Sequence, residues 1–202
     1  MIVFGFVYFI LFILIWIGIT IKIINLSFEN FLSLFTLLGA WIAGIFAFKQ
    51  WKETNKIKKA EYINTLTEKI RTDEDIRTTV YLFDYGENWY NENFHKKENR
   101  EFERKIDKTL SYFSYICYLK QQKIILEKEF SFFRYEIMRI LINENTQSYF
   151  FNLYHFSKLN KSEMTFKYLF NYGEKVGVFN LDFYNVESEN YEVYLNIRQY
   201  KK

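Results

Sequence analysis

Apolar residues fill the first four dozen positions almost without interruption, and only afterwards does the chain adopt the mixed polar and apolar pattern of a domain in water. Ile2 to Ile21 is a run of 20 residues with no charge. As an α-helix it rises about 30 Å, the thickness of a bilayer's hydrocarbon core. Phe31 to Phe48 is a second uncharged run, of 18 residues. Asn25, Ser27, Glu29 and Asn30 break the pattern between them, and so short a link makes the two runs antiparallel neighbours. Neither run keeps the polar stripe of a helix on a soluble domain. The expectation for residues 1–50 is therefore a two-helix transmembrane hairpin. A cleaved signal peptide fits less well, because the start is not basic, the run is too long and no small-residue cleavage pattern follows it.

From Lys49 onward the period becomes that of amphipathic helices, and residues 51–177 read as a helical bundle. The second apolar run continues as helix through Arg71, with Ile63, Leu66 and Ile70 on one face. Thr72 followed by Asp75 predicts a capping box opening a helix that carries Ile76, Val80 and Phe83. "DYGENWYNENFHKKEN" is polar, rich in asparagine, and reads as a loop. Phe102, Ile106, Leu110, Phe113 and Cys117 form the clearest stripe. Phe130, Phe133, Ile137 and Leu141 mark the next helix, and Phe150, Leu153 and Phe156 a shorter one. Phe166, Leu169 and Phe170 begin a last helix that Gly173 or Gly177 ends.

Residues 178–202 change period again. Phe179, Leu181, Phe183 and then Tyr191, Val193, Leu195, Ile197 alternate with mostly polar positions, which predicts a small β-hairpin turning near Val186 to Asn190. Tyr191, Tyr194, Leu195 and Arg198 equally suit a helix, so both readings stand. The fold class expected overall is all-α, with that C-terminal hairpin as the one exception.

Charge fixes the expected orientation. Of the formal net charge of +3, five lysines against Glu53 place +4 between Lys49 and Lys59, while residues 1–48 balance and the remainder carries −1. Lys49, Lys52, Lys56, Lys58 and Lys59 follow the second run directly, where positive residues are retained on the cytoplasmic side and meet anionic lipid headgroups. Two spans, with both termini in the cytoplasm, follow. Trp51 suits an interfacial anchor. Beyond those lysines the chain is near neutral, which argues against direct nucleic-acid binding.

Gly39, Ala43 and Ala47 recur every four residues and allow close backbone approach. In an antiparallel hairpin centred near Leu26, Gly5 faces Ala47, Phe9 faces Ala43, Ile13 lies near Gly39 and Trp16 near Thr36. This stripe either closes the hairpin of one chain or joins copies in a homo-oligomer. The interior polar groups are Thr20, Ser33 and Thr36, with no acid or base of the kind transport pathways use.

Candidate chemistry is sparse. Cys117 lies on the apolar stripe and reads as a buried structural thiol; a single cysteine excludes an internal disulfide framework and fits a reducing compartment. His95 falls in the loop and His155 between Tyr154 and Phe156, and each reads as a packed or a surface residue. Asp73, Glu74 and Asp75 open a helix, where acids favour the macrodipole. The aromatics of "FSFFRYEIMR" keep core spacing, so Arg134 and Arg139 are expected to face solvent. No H-E-x-x-H, Walker A, G-x-G-x-x-G or G-x-S-x-G pattern occurs, so no enzyme activity, cofactor or metal is expected. The high aromatic content accompanies zero Pro, four Ala and an abundance of Ile, Asn and Lys, the imprint of an AT-rich genome, and is discounted as a functional signal.

"FERKIDKTLSYFSYICYLKQQKIILEKEFSFFRYEIMRILI" resembles a helical pattern in small bacterial membrane-anchored proteins of unknown function, and the likeness covers Lys49 to Gly173. Such proteins carry an acid after the aromatic pair; here Ser114 follows Tyr112 and Phe113, so that acid's role does not transfer. The layout is also similar to two-span membrane effectors of anti-phage systems, including those that accompany retrons. The resemblance implies a toxic membrane action restrained by a partner; with the small-residue stripe, the expectation is a bacterial inner-membrane protein whose bundle binds a protein partner and which acts through oligomerisation, a membrane-anchored scaffold and an anchored enzyme with a non-motif site being the alternatives.

Overall fold

The computed structural model describes residues 12–20, 28–191 and 193. Among them all regular structure is helical. Residues 12–20 form α1, followed by α2 (Phe28–Thr72), α3 (Glu74–Tyr85), α4 (Arg100–Gln121), α5 (Glu127–Ile142), α6 (Glu144–Leu159) and α7 (Lys167–Lys175), with short 3₁₀ turns at Lys97–Asn99 and Leu181–Tyr184. Contacts divide the chain into two compact units between Ala60 and Glu61, and α2 runs through that boundary as one helix.

In the second unit α4 is the central element, packing against α3, α5 and α7. Its stripe of Ile106, Leu110, Phe113 and Cys117 is buried as its spacing requires, and Thr109, Tyr112, Ser114, Ile116 and Leu119 are buried too. A helix buried over so wide an arc must have neighbours on several sides. The end of α2 is one of them: Ile63 and Leu66 are buried, and the Tyr112 hydroxyl donates to the Leu66 carbonyl.

Helix ends are set by local chemistry. The cap of α3 is Asp73, one position on from the expected Thr72, and its carboxylate accepts from the Ile76 amide at 3.3 Å. Gly86 at φ 65° ends α3 in the left-handed conformation that glycine adopts without strain. Asn143 both closes α5 and caps α6 through the Thr146 amide (3.0 Å). α7 begins after Phe166 (φ 57°), which offers no side-chain cap, and the buried Ser114 hydroxyl accepts from the Leu169 amide instead (3.4 Å).

The asparagine-rich stretch after α3 is a loop, as expected, and Trp89, Tyr90 and Phe94 within it are almost wholly buried. Asn143 holds this loop, accepting from the Trp89 indole (3.3 Å) and donating to the Phe83 carbonyl (3.1 Å). In α6 the core face is Tyr149, Phe150, Phe151, Asn152 and His155, whereas Phe156 is exposed.

The first arm of the expected β-hairpin is instead the Leu181–Tyr184 turn, and no described residue forms a strand. A strand would put Phe179, Leu181 and Phe183 on one face. Leu181 is 89% exposed, while Phe179 and Phe183 are buried with ring centroids 4.4 Å apart. Asn180 accounts for the difference by accepting from the Phe183 amide at 3.0 Å and closing the turn. A Cβ on Gly173 would stand 2.7 Å from the Phe179 ring, so only glycine lets this segment seat on α7. Of the second arm only Tyr191 and Val193 are described.

Asn143→Ala removes a helix cap and strands the Trp89 N–H and the Phe83 carbonyl. A lost cap costs about 1 kcal/mol and each of the two stranded buried groups about 1–3 kcal/mol, so the variant should lose about 3–7 kcal/mol. Near-UV circular dichroism during thermal unfolding measures this, and an unchanged melting temperature would remove Asn143 from its place as the anchor of the loop.

Candidate functional site

The first candidate is the apolar half of α2. Among the described residues this is the one helix long and apolar enough to cross a membrane, and none of its most apolar stretch is buried. Leu37, Trp41, Ile42, Ile45, Phe46 and Phe48 are each more than half exposed. Patches on soluble monomers rarely exceed a few hundred Å², and burying each such side chain is worth about 1.5–3 kcal/mol. The hydroxyl of Thr36 donates to the Leu32 carbonyl (2.9 Å), so the helix leaves no polar side-chain group of that residue unsatisfied in an apolar surrounding.

Gly39, Ala43 and Ala47 share one exposed face of this stretch. A Cβ on Gly39 would meet nothing within 4 Å. Gly5 and Phe9, the other members of the expected packing face, lie outside the described residues. Lys49, Lys52, Lys56 and Lys58 are exposed and Lys59 is half-buried. Positions 49, 52, 56 and 59 follow helical spacing and therefore make a row on one side of α2. Trp51 stacks on Phe48, with ring centroids 5.8 Å apart.

The remaining candidates lie in the second unit, and each ties elements together. Lys108 donates to Asp73 (2.8 Å) and Asp75 (2.9 Å), and these bonds hold both carboxyls below their usual range. The acidic start of α3 is thus clamped to α4 as well as aligned with the helix dipole. His95 Nδ1 lies 2.9 Å from Glu103 Oε1 and joins the loop to α4. Arg139, expected in solvent, pairs with Asp84 and donates to its carbonyl at 2.8 Å. Arg134 pairs with Glu127. His155 Nε2 donates to the Phe183 carbonyl at 2.9 Å.

Cys117 is buried and its thiol is pushed up to about 12 by that burial, which keeps it from the thiolate form that nucleophiles need. No cluster of three or more His, Cys, Asp or Glu side chains arranged to hold a metal ion occurs among the described residues.

One buried contact was not legible beforehand. The Tyr149 hydroxyl donates to Asp107 Oδ1 at 2.8 Å. Burial raises the Asp107 carboxyl, against the lowering effect of the Tyr149 bond, and Glu103 adds to the rise. The Tyr149 phenol is likewise driven up, by burial and then by Asp107, and stays protonated as the donor. Asp107 follows Glu103 by four residues on α4, a spacing that places two acids on one face, and that was the available signal.

A raised folded-state value means that the folded chain binds more protons than the unfolded one. The Asp107 contribution to stability is therefore most favourable below the ordinary carboxyl value and declines as pH rises through the folded one. Asp107→Asn keeps the acceptor for Tyr149 and removes the charge. Its melting temperature at pH 7 should exceed the parent's by roughly 2–5 °C, and the gap should close toward pH 3. A parent that melts higher at pH 7 would show that its hydrogen bond outweighs burial.

Comparison with models of known families, with curated proteins and with solved structures finds no match.

Proposed function

We propose that this chain is an integral protein of a bacterial inner membrane whose helical domain faces the cytoplasm and whose action, that of an effector such as those of anti-phage systems, comes from assembly in the bilayer rather than from turnover. The observation that carries the reading is the change of character along α2. Its first part exposes apolar side chains on every face, and it then runs without a break into the lysine row. Hydrocarbon around the former and anionic headgroups around the latter satisfy both halves.

In this reading Ile2 to Ile21 forms a first span and Phe31 to Phe48 a second, joined outside the cytoplasm, so that both termini lie inside. Gly39, Ala43 and Ala47 supply the face along which spans pack, with Gly5 and Phe9 opposite within a hairpin or with another copy. The domain beyond Ala60 is the part that a protein partner engages. Its Lys108, Arg139 and His95 are drawn into pairs that hold helices and loops, which supports a binding role over catalysis.

The full chain should sediment with membranes, resist alkaline carbonate and require detergent for release. Overexpression should depolarise cells. Ala43→Leu, which adds about three methylenes to the packing face, should relieve that effect while membrane association persists. Release by carbonate alone would overturn the membrane placement. Stable association with normal growth and normal potential would overturn effector action and favour the scaffold.

A further inference from the structure

Aromatic side chains fill the interior of the second unit, yet one group of them is turned outward. On α3, Tyr81 and Tyr85 are 53% and 77% exposed, and on α5, Phe132 and Tyr135 are 63% and 61% exposed. The two helices are neighbours, joined at their C-terminal ends by the Asp84–Arg139 pair and the Asn143–Phe83 bond. Between them runs a groove of about 390 Å³ whose floor is Ile70 and Val80. Arg71 and Arg77 stand on its rim. Both are exposed, and neither has an ion-pair partner among the described residues. Glu136 lines the same groove.

This composition is that of an interface centre, where tyrosine, phenylalanine and arginine concentrate and binding energy collects. Its charges indicate what covers it. The face carries its own complement: free guanidinium groups on the α2 and α3 side and a carboxylate on the α5 side. A two-fold rotation about the groove brings the cationic side of one copy onto the acidic side of the other, as a self-complementary interface requires. The four aromatics alone offer on the order of 500 Å² per chain, and with the arginine stems the face approaches the ~800 Å² per partner of a stable complex.

We infer that the α3–α5 face binds the same face of a second copy of this chain, with Arg77 of each meeting Glu136 of the other and Tyr81, Phe132 and Tyr135 closing the groove between them. The inference rests on the assembly reading above and names its cytoplasmic contact. The Glu136 carboxyl is raised by burial and by Asp84, against a smaller opposing effect of Arg139, so an additional cation beside it would favour its charged form. Confinement of both copies to one membrane raises their effective concentration and lets a modest face suffice.

The test uses the full chain in lipid nanodiscs, with the dimer fraction read by mass photometry across protein-to-lipid ratios. Arg77→Glu should lower the dimerisation constant at least tenfold, and Glu136→Arg should do the same. The double swap should restore it to within threefold of the parent. Phe132→Glu, at an exposed position that asks nothing of the fold, should also dissociate the dimer, and Leu181→Glu on another surface should not.

A parent that stays monomeric, single swaps that leave the dimer fraction unchanged with native near-UV dichroism, or a double swap that fails to restore it would each overturn the inference. None of these results touches the membrane reading, which stands or falls on detergent-dependent extraction. Were the chain recovered in water instead, the same swaps in that form would still decide this interface.

Discussion

An α-helix that shows Leu, Ile, Phe and Trp on every side has only two stable surroundings, other protein or lipid, and no described residue buries the most apolar part of α2. That constraint governs the rest of the chain. In hydrocarbon every backbone N–H and C=O must find its partner within the segment, which a continuous helix provides. Charge must be absent until the helix emerges and can then accumulate, as it does at Lys49. The single element α2 therefore contains both an exposed apolar stretch long enough to cross a membrane and the point at which that stretch ends.

Beyond Ala60 the same chemistry works in reverse. Apolar side chains converge on α4, and the polar groups that must enter the core are met there by fixed partners. Three of these are single side chains at junctions. Asn143 serves α5, α6 and the loop after α3, Ser114 serves the start of α7, and Asn180 closes the turn that seats Phe179 and Phe183. Asn143 and Asn180 do so through local bonds to backbone amides three residues on, whereas Ser114 reaches the start of α7 across 55 residues of sequence.

Periodicity made the helices legible, because Ile106 to Cys117 and Phe130 to Leu141 leave one arrangement that buries them all. It failed where burial and period part company. Trp89, Tyr90 and Phe94 sit among asparagines that bond the loop's own backbone, as Asn91 does for the Asn93 amide (3.0 Å), and the pattern gives no period to mark the three rings as core. Phe179 and Phe183 have the alternation of a strand and also the four-residue spacing of a turn, and the asparagine between them decides for the turn. Arg139 was assigned to solvent because its partner, Asp84, lies 55 residues away, a distance across which a sequence carries no pairing signal. The expected packing of Gly5 and Phe9 falls outside the described residues, and the lysine row was read from charge alone.

The expected core spacing of the aromatics in "FSFFRYEIMR" holds for Phe130 and Phe133 but not for Phe132 and Tyr135, which lie on the opposite side of α5 and face outward. In a chain where tyrosine and phenylalanine are abundant everywhere, an aromatic at an exposed position carries little information by itself. What separates Tyr81, Phe132 and Tyr135 from a scatter of surface rings is their company. The carboxylates of Asp73, Asp75, Asp84 and Glu127 are each paired with a nearby lysine or arginine, whereas Arg71 and Arg77 are left over beside a groove. Desolvating an arginine is costly without a carboxylate opposite it, so those two guanidinium groups restrict what can close over the aromatics to a surface that brings its own acid. A second copy meets that condition with Glu136, and an uncharged apolar partner does not.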